Sequence, residues 1–367
     1  MIMKKAAFTM FLFILIVGLS APKGYAVEKL DLILRLEPGQ KYDVQVTTEN
    51  KIKQTIEGTQ QDINHTKTTG LDFEVEKVDA NDIASIKVTY QTLQEKTEST
   101  FGGFEYDSKK TYTAKDNSLA PAYTALMGQS FIARVTPKGE IVGLDGLDEM
   151  FSRMAEKILV AEDEFISKAP MGTCKIKQDG NSTTIKEEIS AEERAKRRIE
   201  KTDKMYGSRE KRKQAIKEMI EKYPFFSEKQ MEDMVRNTIM VFAGRPVGIG
   251  DSWEGKVVCS YAPLPDIGVT YTLKEDKQEV VDINVSSKID LDNVPASIEG
   301  NPAPQVKMTG YYQGTSQIDK ASGWIIHKKV TMQLSGQLMQ SGRTVPMSIE
   351  NTVTVGSTKK IHRGVSQ

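Results

Sequence analysis

Apolar and polar residues alternate along residues 39–115 with a period of two. The alternation is clearest in the runs 42–47, 71–76 and 86–90. This period is typical of antiparallel strands with one buried and one solvated face. Residues that favour turns separate the runs, at Pro38-Gly39, Asn50, Gly58, Gly70, 79–82 and Gly102-Gly103. The region therefore predicts an antiparallel meander.

A hairpin and two helices are predicted next. The hairpin covers 131–144 and turns at Thr136-Pro137-Lys138-Gly139, because proline and glycine suit consecutive turn positions. Before it, Ser118 would cap a short helix over 119–127 that Gly128 ends. After it, Asp145 would begin a longer helix. The apolar stripe of that helix is Leu147, Met150, Phe151, Met154 and Ile158, with helical spacing typical of core packing.

Residues 186–242 are predicted to be helical and strongly charged. The residues predicted to cap three helices are Ser190, which forms a capping box with Glu193, then Ser208 and Ser227. The second helix would bury Ile216, Met219, Ile220 and Tyr223. The third would bury Met231, Met234, Val235, Ile239 and Phe242 and end at Gly244-Arg245-Pro246.

The segment 186–223 carries a basic surplus, with 13 Lys and Arg against 9 Asp and Glu. The cluster Arg194, Lys196, Arg197 and Arg198 could contact anionic lipid or an acidic polymer. The interleaved acids favour the alternative, a solvated helix face with charges paired four residues apart.

Alternation with a period of two returns after Gly250. Strands are predicted around 257–261, 269–273, 281–285 and 289–291, then over 308–318, 324–334 and 345–361, with a proline-rich loop over 293–304. The two β regions also begin alike, since Gly39 and Gly250 each precede by three residues an aromatic that opens a strand, Tyr42 and Trp253. This similarity raises the hypothesis of two related β modules.

These patterns predict an α+β fold, mainly antiparallel β, with two curved sheet modules or half-barrels and a helical segment between them. The predicted boundaries are a signal peptide over 1–26, an N-terminal β module with short helices over 27–180, a charged helical segment over 181–243 and a C-terminal β module over 244–367.

The first 26 residues have the layout of a signal peptide. Lys4 and Lys5 precede fourteen uncharged, mostly apolar residues, 6–19, and Gly24-Tyr25-Ala26 suits cleavage before Val27, with Ala21 as a second site. An uncleaved anchor is the alternative, but a span needs about 20 apolar residues. We therefore expect an exported protein, periplasmic or extracellular, without a transmembrane span after cleavage.

The composition argues against nucleic-acid binding and allows one disulfide. Lys plus Arg and Asp plus Glu each number 50, so the sequence lacks the basic surplus of a nucleic-acid-binding protein. Cys174 and Cys259 would meet an oxidising compartment and could form a disulfide. Two free buried thiols are the alternative.

No motif in the sequence predicts a catalytic site, a metal site or a cofactor. Nucleophile elbows, phosphate-binding loops, dinucleotide fingerprints and His-Glu-x-x-His are absent. His65, His327 and His362 are far apart in sequence. Asp290 and Asp292 lack the ligand run of a calcium loop. The ligand-binding residues are unknown at this level.

Three motifs resemble a known family. They are Leu36-Glu37-Pro38-Gly39-Gln40-Lys41-Tyr42, then Gly128-Gln129-Ser130-Phe131 with Pro137-Lys138-Gly139, and Pro246-Val247-Gly248-Ile249-Gly250-Asp251-Ser252-Trp253. They are similar to a family of exported, signal-peptide-bearing bacterial β-rich proteins of unknown function. The resemblance covers nearly all of the mature chain and brings no activity or catalytic residue, and the basic helices at 190–222 depart from it.

The leading hypothesis is a non-enzymatic protein of the bacterial envelope that binds an apolar or amphiphilic, lipid-like ligand between a curved sheet and methionine-rich helices. The alternative is a structural or protein-interaction module that binds another envelope protein through strand edges and the charged helices. A hydrolase with scattered carboxylates is a third hypothesis, and it would need two carboxylates facing each other across a cleft.

Overall fold

A computed structural model describes residues 29–112, 119–168, 191–257, 266–295, 305–340 and 343–360. The strands are β1 (Lys41–Ile56), β2 (Thr59–Val78), β3 (Ala84–Ser99), β4 (Gly102–Asp107), β5 (Ser130–Val135), β6 (Ile141–Asp145), β7 (Ser252–Val257), β8 (Ile267–Asp276), β9 (Val280–Pro295), β10 (Gln305–Asp319), β11 (Ile325–Gln340) and β12 (Arg343–Lys359).

The helices are α1 (Ala120–Leu126), α2 (Leu147–Lys168), α3 (Ala191–Tyr206), α4 (Arg209–Lys222) and α5 (Glu228–Thr238), with a 3-10 turn at Pro224–Phe226 before α5. Within the described residues, no helix combines the length and the apolar character needed to cross a bilayer.

All twelve strands belong to one open antiparallel sheet, so the predicted α+β class is confirmed. The order is β6-β5-β3-β2-β1-β12-β11-β10-β9-β8-β7, with β4 beside β3. The two predicted groups of strands therefore lie side by side in a single sheet, joined where β1 pairs with β12 from Tyr42–Lys359 to Gln54–Met347.

One face of the sheet is buried along most strands. In β1 the inward side chains Tyr42, Val44 and Val46 are each less than 9% exposed. The expected turns at Asn50 and Gly70 are wrong, because both residues lie inside long strands. Asn50 continues the inward phase with its amide hydrogen-bonded, and Gly70 lies at a bulge where a Cβ would collide with the Thr92 hydroxyl.

Two extended segments cross between the ends of the sheet, and we call them the first crossing segment (30–36) and the second crossing segment (239–247). They bond to each other where Leu30 and Val247 exchange both backbone hydrogen bonds. In the second, the Val241 carbonyl accepts from the Trp253 indole of β7 at 2.8 Å, while the next amide, Phe242, donates to Lys138 O beside β6.

These contacts show that the sheet is strongly curved. Strands lie about 4.8 Å apart, so a flat sheet would place β6 and β7 about 48 Å apart. Adjacent residues of the second crossing segment contact both ends instead. The buried face is therefore concave, and α5 lies against it.

The third predicted helix ends earlier than expected. It stops at Thr238, and Ile239 has extended backbone, so the predicted end at Gly244-Arg245-Pro246 is wrong. The apolar residues Ile239 and Phe242 remain buried. They pack from the second crossing segment, where the Phe242 amide donates to Lys138 O in the 136–139 turn instead of continuing the helix.

In the remaining helices, some predicted buried faces and caps are confirmed and others are wrong. The stripe of α2 is core, since Met150 and Met154 are 0% exposed. The expected cap at Asp145 is wrong, because this residue closes β6 and pairs with Arg134. Ser208 and Ser227 cap α4 and α5 as predicted. Met219 is 50% exposed, so its expected burial is wrong.

Several predictions fall outside the described residues. They are the signal peptide, the caps Ser118 and Ser190, and the residues Cys174, Cys259 and His362.

Candidate interior site

A chain of polar side chains lies on the concave face, at the centre of the sheet. The Asn351 amide of β12 donates to Asn50 Oδ1 at 2.5 Å, and Asn50 Nδ2 lies 3.3 Å from His65 Nδ1. His65 Nε2 lies 2.9 Å from the Glu95 carboxylate. The pairing of β12, β1, β2 and β3 brings these residues together, because each sits at the inward phase of its strand.

Glu95 is a buried acid that stays ionised. Its side chain is 1% exposed, and burial alone would raise its pKa. The hydrogen bond with His65, the charge of Lys67 and a hydrogen bond with Tyr123 outweigh burial and lower the pKa below its usual range. The site therefore holds a fixed negative charge beneath the helices.

Lys67 lies directly opposite Glu95 in the β2–β3 ladder. Its Nζ lies 5.9 Å from the centre of the Tyr123 ring and 5.5 Å from that of Phe225, within the range of cation–π attraction. Burial lowers the pKa of Lys67, and the charge of Glu95 opposes this shift. The ammonium is thus held between an acid and two aromatic faces.

A cavity of about 40 Å³ adjoins Lys67, between the sheet and the helices. Val46, Thr69 and Leu93 line it from the sheet, and Tyr123, Phe225 and Met234 line it from the helical side. This volume holds a water molecule or two. Larger openings, such as one of about 800 Å³ across the ends of β9–β11, are surface grooves.

A second lysine points inward on β11, beyond the cavity. Lys328 Nζ donates to Asn237 O near the end of α5 at 3.2 Å, and Asn237 also lines the cavity. Burial lowers the pKa of Lys328 to about 8. Ser316 faces Lys328 across the β10–β11 ladder.

The structure places the residues considered from the sequence in different settings. His65 is part of the polar chain, whereas His327 is exposed on the outer face. Asp292 pairs with Lys307 at 3.4 Å, which supplies a cation to its carboxylate. Within the described residues, no group of three or more His, Cys, Asp or Glu could hold a metal ion.

Several basic residues of α4 pair with acids of the neighbouring helices. Arg212 is 1% exposed and pairs with Asp163 of α2 and with Asp203 of α3. Lys213 and Lys217 of α4 pair with Glu156 and Asp148 of α2. In the predicted basic cluster, Arg197 pairs with Glu193 four residues away, as the alternative of a helix face with paired charges predicts.

The sequence matches the model of one protein family. A model described as "Family of unknown function (DUF6263)" matches residues 81–191 and 196–325, more than half of the chain. The chain belongs to this family. The expected similarity to an uncharacterised family is therefore confirmed, and DUF6263 brings no activity with it. A search of curated proteins gives no match.

Solved structures show only distant likeness to this DUF6263 protein. A structure titled "Lipid-protein interactions in lipovitellin" has a TM-score of 0.41 and 8% identity, over 90% of this chain and 26% of that one. The chain thus spans about a quarter of that relative. An outer membrane channel from Pseudomonas putida F1 has a TM-score of 0.19 and 6% identity, over 89% of this chain and 98% of the other. Scores this low carry no inference about function.

Proposed function

We propose that this DUF6263 protein is exported and binds an apolar or amphiphilic molecule between the concave face of its sheet and the segment 224–238. The observation that carries the proposal is the cavity at Lys67. It lies between sheet and helices, and its walls combine aromatic and aliphatic side chains with polar ones, among them Lys67, Gln230 and Asn237, as an amphiphilic molecule requires.

Entry of a ligand requires the helical side to move. The 40 Å³ cavity is too small for an alkyl chain, so Pro224–Phe226 and α5 would have to shift away from the sheet. These elements supply Phe225 and Met234 to the cavity wall. Methionine side chains adapt to different shapes because they are unbranched and polarizable. A substantial minority of complexes rearrange a loop or segment when the ligand or partner binds.

The polar chain supports binding rather than catalysis. Both ring nitrogens of His65 are engaged, one with Glu95 and one with Asn50. A general base needs a nitrogen within reach of a substrate proton. In this proposal, His65 and Glu95 therefore belong to a structural polar network.

The signal-peptide layout of residues 1–26 supports the proposal of export. The mass of the mature N-terminus, measured after expression in a bacterial host, tests it. Cleavage before Val27 or after Ala21 is expected, and an intact Met1 on cytoplasmic protein would contradict export.

Ligand binding is tested with a cavity-filling variant. Thr69→Leu adds apolar volume at the cavity wall, whereas Thr68→Leu places the same change on the outer face. After delipidation, native mass spectrometry and calorimetry would follow decanol and decanoate. We expect the wild type and Thr68→Leu to bind with 1:1 stoichiometry and Thr69→Leu to bind at least about tenfold more weakly, since overpacking costs about 1–3 kcal/mol.

Equal binding by both variants would place the ligand elsewhere. Absence of binding to the wild type would overturn the proposal and favour a structural or protein-interaction module at the cell envelope.

A further inference from the structure

Lys328 is a partly buried cation with no ion-paired acid among the described residues. Among the described residues, no carboxylate lies within ion-pair distance of its Nζ, and burial alone accounts for its lowered pKa. Its one hydrogen-bond acceptor there is Asn237 O, at 3.2 Å. An ammonium group has three donors, so the contacts leave hydrogen-bonding capacity unused.

Ser316 supplies a second donor to the same place. It lies directly opposite Lys328 in the β10–β11 ladder, where facing Cβ atoms are about 5 Å apart. The residue is 2% exposed, and its Oγ has no hydrogen-bond partner within the part of the chain that the structure describes. Buried hydroxyls are nearly always hydrogen-bonded, so an orphan of this kind points to a missing acceptor.

The surroundings make an anionic acceptor favourable. Ile283 and Ile318 flank Ser316 on the concave face and are both 0% exposed, and Val330 is 1% exposed. In such a low-dielectric setting, hydrogen bonds to a charged group are strong. We infer that Lys328 and Ser316 form a site for an oxyanion, a carboxylate or a phosphate group, at the end of the cavity next to Asn237.

A helix cap is a simpler role for Lys328, because cations stabilise the carboxyl end of a helix. That role uses one proton of the ammonium, on Asn237 O. It leaves the Ser316 hydroxyl and the rest of the ammonium without acceptors among the described residues. An oxyanion would accept from the Ser316 hydroxyl and from the remaining donors of the ammonium, while the bond to Asn237 O is kept.

This inference deepens the proposed function, on which the apolar part of the ligand rests. Asn237 lines the cavity and also contacts Lys328, so an amphiphile with its tail beside Phe225 would have its anionic head near Lys328 and Ser316. A free oxyanion would use the same donors without the tail.

The test compares ligands with and without charge and tail. Calorimetry at pH 7 would measure decanoate, decanol, acetate and phosphate on the full chain. The variants are Lys328→Met and Ser316→Ala, and Lys329→Met is the matched control because it is exposed on the outer face. We expect Lys328→Met to weaken decanoate binding about 10- to 100-fold, the range for a hydrogen bond to a charged group, and to leave decanol unchanged.

The protonation of Lys328 gives a readout that a helix cap would not change. With lysine labelled by ¹³C at Cε, NMR titration should find the pKa of Lys328 near 8 without ligand and higher with decanoate bound, because an adjacent anion favours the charged form. Decanoate affinity should therefore fall as pH rises above about 8. Binding of phosphate or acetate alone, lost in Lys328→Met, would identify a free oxyanion as the ligand.

The two proposals fail in different ways. Equal binding of decanol and decanoate to the wild type and Lys328→Met would overturn the oxyanion site and leave the cavity proposal standing. Binding of acetate or phosphate without any binding of decanol or decanoate would do the reverse.

Discussion

The glycines of two hairpins, Gly139 and Gly323, allow the crossing segments to approach the sheet. Both have positive φ, and a Cβ on either would collide with a backbone carbonyl, that of Met240 in one case and of Ile33 in the other. The sequence shows that these turns favour glycine, but the second requirement, close approach of another backbone, is visible only in three dimensions.

Gly139→Ala should therefore destabilise the protein more than its turn alone explains. Gly58 is the control, since it has the same φ of 78°, and no atom of the described residues lies within 4 Å of where its Cβ would be. Strain from positive φ costs about 1–2 kcal/mol in both variants. We expect Gly139→Ala to lose about 2 kcal/mol more in urea unfolding, from overpacking against Met240. Equal losses would show that the backbone approach is unimportant.

The charged residues of the interior were not predicted from the sequence. They are Lys67, Glu95 and Lys328. Their strands were predicted, and the alternation, if extended, places Lys67 in phase with Leu71 and Phe73 on the inward face. Charged residues at inward positions are rare unless they are paired. This signal could have identified the site, but the neighbours that decide its chemistry come from other strands and from α5.

At the scale of elements, a buried arginine joins three helices. Arg212 of α4 contacts Asp163 of α2 and Asp203 of α3, and Arg209 adds a second contact to Asp163. Burial raises the pKa of Asp163, but hydrogen bonds from Arg209 and Arg212 outweigh it and hold the pKa below its usual value. The helical layer therefore depends on charge pairing as well as on its apolar faces.

Arg212→Met should destabilise the protein by about 3 kcal/mol at pH 7, because two aspartates lose their buried partner. Lys211→Met, at the exposed neighbouring position, should change stability by less than about 0.5 kcal/mol. The lowered pKa of Asp163 stabilises the fold above the unfolded pKa, and this contribution is lost as pH falls through the folded value. The difference between the wild type and Arg212→Met should thus shrink below about pH 4.

Urea unfolding at pH 7 and pH 3 measures both effects. A loss for Arg212→Met that does not change between these pH values would assign its effect to packing alone.

Helix starts were easier to predict than the end of α5. Ser208 and Ser227 act on amides three residues away, so the cap is a local property that sequence reveals. The end of α5 at Thr238 depends on the 136–139 turn, about a hundred residues earlier, whose backbone bonds to Phe242. Tertiary contacts overrode a helical pattern that continued to residue 242.

At the scale of the whole molecule, the two strand groups share one sheet and one continuous core. Trp324 illustrates this, because its ring stacks on Tyr42 at 4.2 Å and packs edge-on against Phe73, both from the first group. The pairing of β1 with β12 was not predictable from local pattern. The glycine-to-aromatic spacing at Gly39 and Gly250 recurs with positive φ in both, and duplication stays a hypothesis.

Unfolding should therefore be cooperative across both groups. The protein has two tryptophans, so Trp253→Phe and Trp324→Phe each leave one fluorescent reporter. Trp253 reports on β7 and the second crossing segment, and Trp324 reports on the β1–β2 side of the core. We expect each variant to show the same urea midpoint by fluorescence and by circular dichroism, as for a two-state transition. In either variant, clearly different midpoints would indicate two independently unfolding modules.

The β1–β12 ladder also means that β1 is synthesised long before the strand with which it pairs. Its first registered pair joins Tyr42 to Lys359, more than 300 residues later. At about 5–20 residues per second, roughly 15–60 s pass between the appearance of β1 and that of its partner. During that interval one edge of a sixteen-residue strand has no native neighbour, and such an edge pairs readily with other chains. Slow translation or crowded expression should therefore favour aggregation of nascent chains, even where the finished protein is stable.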